Sequence, residues 1–376
     1  MKAEYKYITI KDWIAFFVST LLIFLSSVLL VIFSVIFTFF RLAKKRPLLV
    51  FASMLGLILL FFVIQWMVVP ISWQAESDSV CVIIKQGDSM TRIVDRLKEA
   101  KVIKDGTGLL ILAKLLGKDR HIQAGRYDFK KGIRLHSVFN KLIKGDVTLK
   151  EVTIPEGLTV KQIAGILKRE MEFDSSEFVR IAIDSQFTKS MGILASNLEG
   201  YLFPDTYKLS RGIPPEKVAQ ILVDQFKKTF THSLLRRAEE VNFSLAEVVT
   251  LASMIEAEAK DGEEREMISA VYHNRLKRGM LLQCDPTVIY ALSELDRPLL
   301  LKDLKIDSPY NTYKYPGLPP GPICNPGKAS ISAALYPADA DYLYFVAKGD
   351  GSHIFSTTLK EHNKAKIKIK RAGRNR

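Results

Sequence analysis

An α+β protein with an N-terminal transmembrane anchor is predicted by three features of the sequence. Two long apolar runs open the chain, a strand-glycine-helix pattern recurs between about residues 80 and 170, and helical periodicity dominates from about residue 175. Together they give an anchor over residues 1–73, a small α+β module over 74–150, and a helix-rich α+β domain over 151–376 with a basic C-terminal tail.

The anchor comes first. Trp13 to Phe40 is 28 residues without a charge and Leu48 to Val69 is 22 more, each beyond the ~20 residues that cross a bilayer as a helix. A cleaved signal peptide has an apolar stretch of only ~7 to 15 residues, so both segments read as permanent spans. The short loop between them carries Arg41, Lys44, Lys45 and Arg46, whereas Lys2, Lys6 and Lys11 are offset by Glu4 and Asp12. Positive charge favours the cytoplasmic side, so both spans turn outward and everything after about residue 74 faces the exterior of the cytoplasmic membrane.

The net charge is +14 for the chain. An exported domain seldom meets nucleic acid, so its basicity points to anionic wall polymer or lipid headgroups. The three cysteines, Cys81, Cys284 and Cys324, form no CxxC pair, which excludes a zinc site and a disulfide-stapled scaffold. The tail after Leu359, with Lys364, Lys366, Lys368, Lys370, Arg371, Arg374 and Arg376, reads as a solvated, frayed end.

After the linker Ser72 to Asp78, the recurring pattern runs Ile84, Gly87, Ile93, Leu97, then Ile154, Gly157, Ile163, Leu167, with a fainter copy at Gly132, Val138 and Leu142. Each copy predicts a strand, a glycine turn and an amphipathic helix. The first resembles a LysM-like domain, the type that holds chitin-like sugar chains. Helices are predicted over Pro214 to Phe230, Leu245 to Lys260, Glu263 to Arg278 and Pro286 to Leu292. Tyr310 to Gly327 holds five prolines and three glycines and must be a structured loop, the kind of segment that carries function. Tyr342 to Ala347 and His353 to Phe355 flank Lys-Gly-Asp-Gly, a hairpin signal.

The chemistry narrows by exclusion. HExxH, GxSxG and GxGxxG are absent, and Gly321 to Lys328 fails as a phosphate loop in spacing and in Ala329. His273 reads as structural, within a helix after Val271 and Tyr272. No metal or cofactor is implied. The segment Leu251 to Glu258 is more informative, since its helix opens with the capping box Ser244-Leu-Ala-Glu247. Glu258 shares a helical stripe with Leu251, Met254 and Ile255, while Glu256 lies roughly 200° away, one turn before Lys260. Burial, the negative end of the helix and the nearby Asp261 and Glu263 all disfavour ionisation of Glu258. A raised pKa is what a carboxyl needs to protonate a glycosidic oxygen; a glutamate that simply reaches solvent at a helix end is the plain alternative.

Asn197 to Tyr207 alternates acidic and aromatic residues around Gly200 and Pro204, a composition that suits a glycan cleft. Glu199 is its candidate second carboxylate. Asp285 before Pro286 reads first as a helix N-cap with proline at the first helical position. The proline-rich loop holds Tyr310, Asn311 and Tyr313 as a possible cleft wall.

The blocks LEGYLFPDTY (198–207), LASMIEAE (251–258), HNRL to QCDPTVIY (273–290), YNTY (310–313) and GLPPGPICNPG (317–327) together resemble the endolytic murein transglycosylase (YceG-like) family over roughly residues 80 to 365. The resemblance places the family's catalytic glutamate on Glu258. It implies lytic cleavage of peptidoglycan between MurNAc and GlcNAc with a 1,6-anhydro-MurNAc product, in a role that ends nascent strands, and penicillin-binding proteins as partners. Substrate-binding candidates are Glu199, Tyr201, Tyr207, Gln283, Asp285, Thr287, Tyr310, Asn311, Tyr313 and Asn325. Members commonly carry one span where two are expected here, and Cys284 and Cys324 replace less reactive residues, which opens the option of a local disulfide between them. Two other readings remain in view: a hydrolytic glycosidase, and a non-catalytic glycan-binding membrane anchor.

Overall fold

The computed structural model describes residue 48 and residues 51–59, 79–118, 122–130, 133–171, 174–293, 295 and 297–374. It divides into two compact units, one of residues 1–73 and 132–136, the other of residues 74–131 and 137–376. In the first, residues 51–59 are helical; most of the two apolar runs lies outside the described residues. Among the described residues no helix is long and apolar enough to cross a membrane.

The second unit opens with β1 (Ser79–Ile84), α1 (Met90–Glu99), α2 (Thr107–Leu115) and β2 (Gly125–Lys130). The two strands pair antiparallel, Ser79 opposite Lys130 and Ile84 opposite Gly125. The Ser89 hydroxyl accepts Arg92 N at 3.3 Å and starts α1, which buries Ile93, Val94 and Leu97 against Val82, Ile84, Tyr127 and Phe129 of the strands. Gly87 supplies the left-handed turn between them at φ 82°, a conformation that costs a side chain energy. After β2 comes α3 (Leu135–Lys144), with Val138 and Leu142 buried as the fainter copy of the pattern predicts.

The second copy repeats the plan. β3 (Leu149–Ile154) leads through Gly157, at φ 77°, into α4 (Val160–Met171), which buries Val160, Ile163, Ala164, Leu167 and Met171. Two short helices missing from the prediction follow, α5 (Ser175–Ala182) and α6 (Ser185–Ser190), capped by Asp174 and Asp184. The strand β4 (Asp205–Ser210) then returns antiparallel to β3.

The remainder is mainly helical: α7 (Pro215–Thr229), α8 (His232–Glu240), α9 (Leu245–Glu258), α10 (Arg265–Lys277), α11 (Asp285–Ala291) and α12 (Lys328–Leu335). The predicted capping box of α9 is present, with Ser244 and Glu247 bonding reciprocally. The single apolar stripe expected for α9 is corrected: every residue from Val248 to Ile255 is buried, so the helix is enclosed on all sides.

The proline-rich loop is laced to α9 and to the β3–α4 turn. Ile323 N donates to Ser253 Oγ at 3.0 Å, and Gly327 N to Glu256 Oε2 at 3.0 Å. Asn325 is the knot. Its backbone pairs with Gly157 and Leu158, Leu202 N donates to its Oδ1 at 2.8 Å, and its Nδ2 donates to Leu158 O and Glu199 Oε1 at 2.9 and 3.0 Å.

A hairpin, β5 (Tyr344–Ala347) and β6 (His353–Ser356), forms as predicted. The basic tail is not frayed over its described length: it is helix α13 (Leu359–Arg374). Its start is a local capping arrangement, with Glu361 accepting from Thr357 and Thr358 backbone N–H groups and Glu361 N donating to Thr358 Oγ1. Ala365 is buried and the His362 ring stacks on Tyr344 at 5.3 Å, so packing against the hairpin overrides the charge repulsion.

Each buried polar group stripped of its partner costs about 1–3 kcal/mol. Asn325→Ala, which orphans Leu202 N and weakens the Leu158 and Glu199 contacts, should lower unfolding stability by at least about 2 kcal/mol in urea titration. A midpoint displaced by less than about 0.5 kcal/mol equivalent would show that the loop is held elsewhere.

Candidate active site around Glu258

Glu258 is the last residue of α9, where the enclosed helix emerges. The residue is half-buried, but its carboxyl is packed about with protein, and this burial, followed by the charge of Asp285, pushes its pKa up to about 7. The Cys284 thiol, the Tyr272 hydroxyl and the Asp285 backbone N–H pull the other way. The direction is the one the sequence predicts. Its electrostatic source is corrected: the repelling carboxylate is Asp285, at the start of α11, and neither Asp261 nor Glu263. Asp261 instead caps the turn before α10, accepting Glu263 N at 3.1 Å. Because the pKa rises from 4.5 in the open chain to about 7 in the fold, the site is most stable below about 4.5 and loses stability as pH rises through about 7. At neutral pH the group can both give and take a proton.

Glu256, two residues away, has an occupied carboxylate. Oε2 accepts Gly327 N at 3.0 Å, and Oε1 lies 3.6 Å from Arg265 Nη2. Its cation is thus Arg265 rather than the expected Lys260.

Asp285 is exposed and is the first residue of α11, with Cys284 in the cap position and no side-chain cap bond. The expected N-cap role is therefore corrected, and Pro286 stands one place further in. Asp285 instead accepts the Tyr313 hydroxyl. Tyr313 also feels the charge of Glu258, so Glu258, Asp285 and Tyr313 share one surface. Gln283 is exposed beside them in a left-handed conformation, φ 52°, with its N–H on Thr312 O at 3.0 Å.

Five binding candidates are framework instead. Tyr201 is core, edge-on to Phe226 at 5.2 Å. Tyr207 is buried with its hydroxyl on Phe203 O. Thr287 is buried and donates to Cys284 O at 2.7 Å. Asn311 is fully buried, bonding Leu304 O and Ile306 O and accepting Tyr313 N. Asn325 is the loop knot described above. Sequence patterns flag polar residues in loops but not whether backbone consumes them. His273 is structural as predicted, with Nε2 on Ala334 O at 2.8 Å.

Glu199 is a buried carboxyl, 6% exposed. Val160 N and Asn325 Nδ2 donate to it, with Tyr290 as a further partner, and burial pushes its pKa up to about 7. The ring of Tyr310 packs on Tyr290 at 5.0 Å.

Two residues beside Glu258 escaped the sequence reading. Tyr272 is wholly buried; its hydroxyl stands near Glu258 and Cys284 at a geometry short of a hydrogen bond. Cys284 is buried next to it. The i,i+12 relation of Tyr272 to Cys284 crosses a helix end and a turn, so no periodicity could have joined them. The disulfide option is overturned: Cys284 and Cys324 are both free. Cys324 Sγ is turned to Ser253 O at 3.3 Å, whereas Cys284 faces Glu258 and Tyr272.

Residues 82–368 match the YceG-like family model. A Bacillus subtilis (strain 168) protein named endolytic murein transglycosylase is 38% identical over 302 residues, covering 76% of this chain and 83% of that protein. A protein of the same name from Streptococcus pneumoniae serotype 2 is 29% identical, and the alignment spans 57% of its length. The 2.6 Å crystal structure of a YceG-like protein from Listeria monocytogenes superposes with a TM-score of 0.54 at 34% identity, over 76% of this chain and 98% of that one.

Asp285→Asn removes the charge that opposes ionisation of Glu258. Its carboxyl titration, followed by carbon NMR, should then shift to a midpoint below about 7. An unmoved midpoint would leave burial as the sole cause.

Proposed function

The chain belongs to the YceG-like family, and from that premise we propose that it cuts peptidoglycan glycan strands as a lytic transglycosylase, with Glu258 as both acid and base. The observation that carries this is one carboxyl, raised to about 7, half-buried at the end of a helix whose residues Val248 to Ile255 are all buried. Protonated Glu258 gives its proton to the oxygen joining MurNAc to GlcNAc. The C1–O bond breaks and GlcNAc leaves with a free 4-hydroxyl. The MurNAc 6-hydroxyl then closes on C1, and Glu258, now a carboxylate beside the Cys284 thiol and the Asp285 N–H, recovers a proton from it. No water is consumed, and the enzyme ends in its starting state. A hydrolase would use a second carboxylate as the base for water or as a nucleophile, the part that Asp285 beside Glu258 would play, and the product ends distinguish the two reactions.

The βααβ module of residues 79–130 supports a LysM-like role in holding the strand. The apolar segments Trp13 to Phe40 and Leu48 to Val69, with the basic loop between them, support an anchor in the cytoplasmic membrane and a catalytic domain on its outer side. That location would bring the site beside wall-synthesis enzymes such as penicillin-binding proteins. Protease added to intact spheroplasts should therefore digest the C-terminal domain; survival of that domain would place it inside.

Glu258→Gln keeps shape and removes the transferable proton. Cutting of purified strands should fall roughly 100-fold to 10,000-fold. Wild-type products should end in anhydro-MurNAc, one water lighter than a reducing end. Normal cutting by Glu258→Gln would remove the assignment, and hydrated ends would make the protein a hydrolase.

A further inference from the structure

Helix α2 carries more apolar surface than the protein around it covers. Within Thr107–Leu115 only Thr107 and Lys114 have polar side chains. Leu109 and Ala113 are fully buried and hold the helix to its module, yet Ile111, Leu115 and the capping Leu116 are 52%, 77% and 57% exposed. A helix that is apolar on all sides is ordinarily enclosed. Large apolar side chains grouped at one exposed place mark a surface that meets something other than water.

Lysines surround that surface. Lys101, Lys104, Lys114 and Lys118 are all exposed, and from Lys101 to Lys118 the one acid is Asp105. Its carboxylate already accepts the Thr107 N–H and hydroxyl at 3.2 and 2.9 Å. Leucine and isoleucine edged by lysine suit the headgroup layer of a bilayer, where the lysine stem lies along hydrocarbon and the ammonium reaches anionic phosphate. A second copy of the chain fits less well, because a symmetric contact through this surface would bring the two sets of lysines together.

Chain length favours the same occupant. Residues 70 to 78 alone join the end of the apolar run Leu48 to Val69 to β1. A link of that length reaches at most roughly 35 Å, so wherever that run meets a bilayer the module starts close to the lipid surface.

We propose that α2 lies in the headgroup layer of an anionic membrane, with Ile111, Leu115 and Leu116 inserted and Lys114 and Lys118 on lipid phosphate. It rests on the reading of Leu48 to Val69 as a membrane span, and it is a second contact, made by the folded module itself.

The test uses the full chain in lipid nanodiscs with Cys81→Ser, because Cys81 is exposed whereas Cys284 and Cys324 are buried. An environment-sensitive dye is attached at Leu116→Cys or, as a control, at Leu194→Cys, a position 94% exposed in the catalytic domain. In phosphatidylglycerol discs, nitroxide-labelled lipid should quench the dye at position 116 at least about twofold more than at 194, and acrylamide in the water should quench it less. Exchange of the lipid for phosphatidylcholine, or addition of Ile111→Asp and Leu115→Asp, should bring lipid quenching at 116 down toward that at 194. Both substituted positions are exposed, and unfolding midpoints check the variants. Quenching at 116 by acrylamide alone would show a solvated helix, and quenching by neither reagent would show a protein partner or a second copy. Equal quenching in the two lipids would leave the lysines without a role, and quenching that survives the aspartates would do the same for the apolar residues. Each of these results overturns the proposal. Alkaline carbonate tests the anchor separately. A chain washed from vesicles sinks the membrane span, whereas a chain that stays while position 116 meets only water sinks the α2 contact alone.

Discussion

The enclosure of one helix organises this fold. From Val248 to Ile255 every residue of α9 is buried, so no side of it meets water and its polar groups must be answered by protein. The loop from Pro322 to Gly327 answers them, with Ser253, Glu256 and Asn325 as the fastening points. Where the helix leaves the core its last turn carries three positions of different character: Glu256 tied inward, Ala257 exposed, and Glu258 packed but with no cation paired to it among the described residues. A rigid buried rod ending at a surface is a precise mount for a proton-transfer group, because its position is fixed by the core rather than by a loop.

Two glutamates two residues apart thus receive different work from their surroundings. Arg265 and the Gly327 N–H occupy the Glu256 carboxyl, which holds the loop. For Glu258, burial and the neighbouring Asp285 carboxylate favour the neutral acid and outweigh the opposing pull of the Cys284 thiol and the Tyr272 hydroxyl. The contrast is set by the direction in which each side chain leaves the helix, which a two-residue offset turns by roughly 200°.

Much of this was legible in the chain. The strand-glycine-helix repeats, the capping box of α9, the hairpin and the irregular proline loop all follow from local rules that act within a few residues. Glu258 was found because helical geometry separates it from Glu256. What escaped depends on long-range pairing. Nothing local distinguishes Asn325, which ties residues more than a hundred positions away, from an asparagine facing a ligand. The same holds for Asp285, whose partner Tyr313 lies 28 residues on, and for Arg265 as the cation of Glu256. The tail helix was hidden by its charge, since lysine density suggests solvation and gives no sign of the hairpin waiting to receive it.

The two buried cysteines carry a consequence for where such an enzyme can work. Burial holds the Cys284 and Cys324 thiols well above their ordinary pKa, and the thiolate is the form that reacts. Neither crosslinks the loop to the helix; hydrogen bonds and packing do that. The architecture around Glu258 therefore asks nothing of an oxidase or an isomerase as the chain matures, and it keeps its shape through swings between aerobic and reducing surroundings.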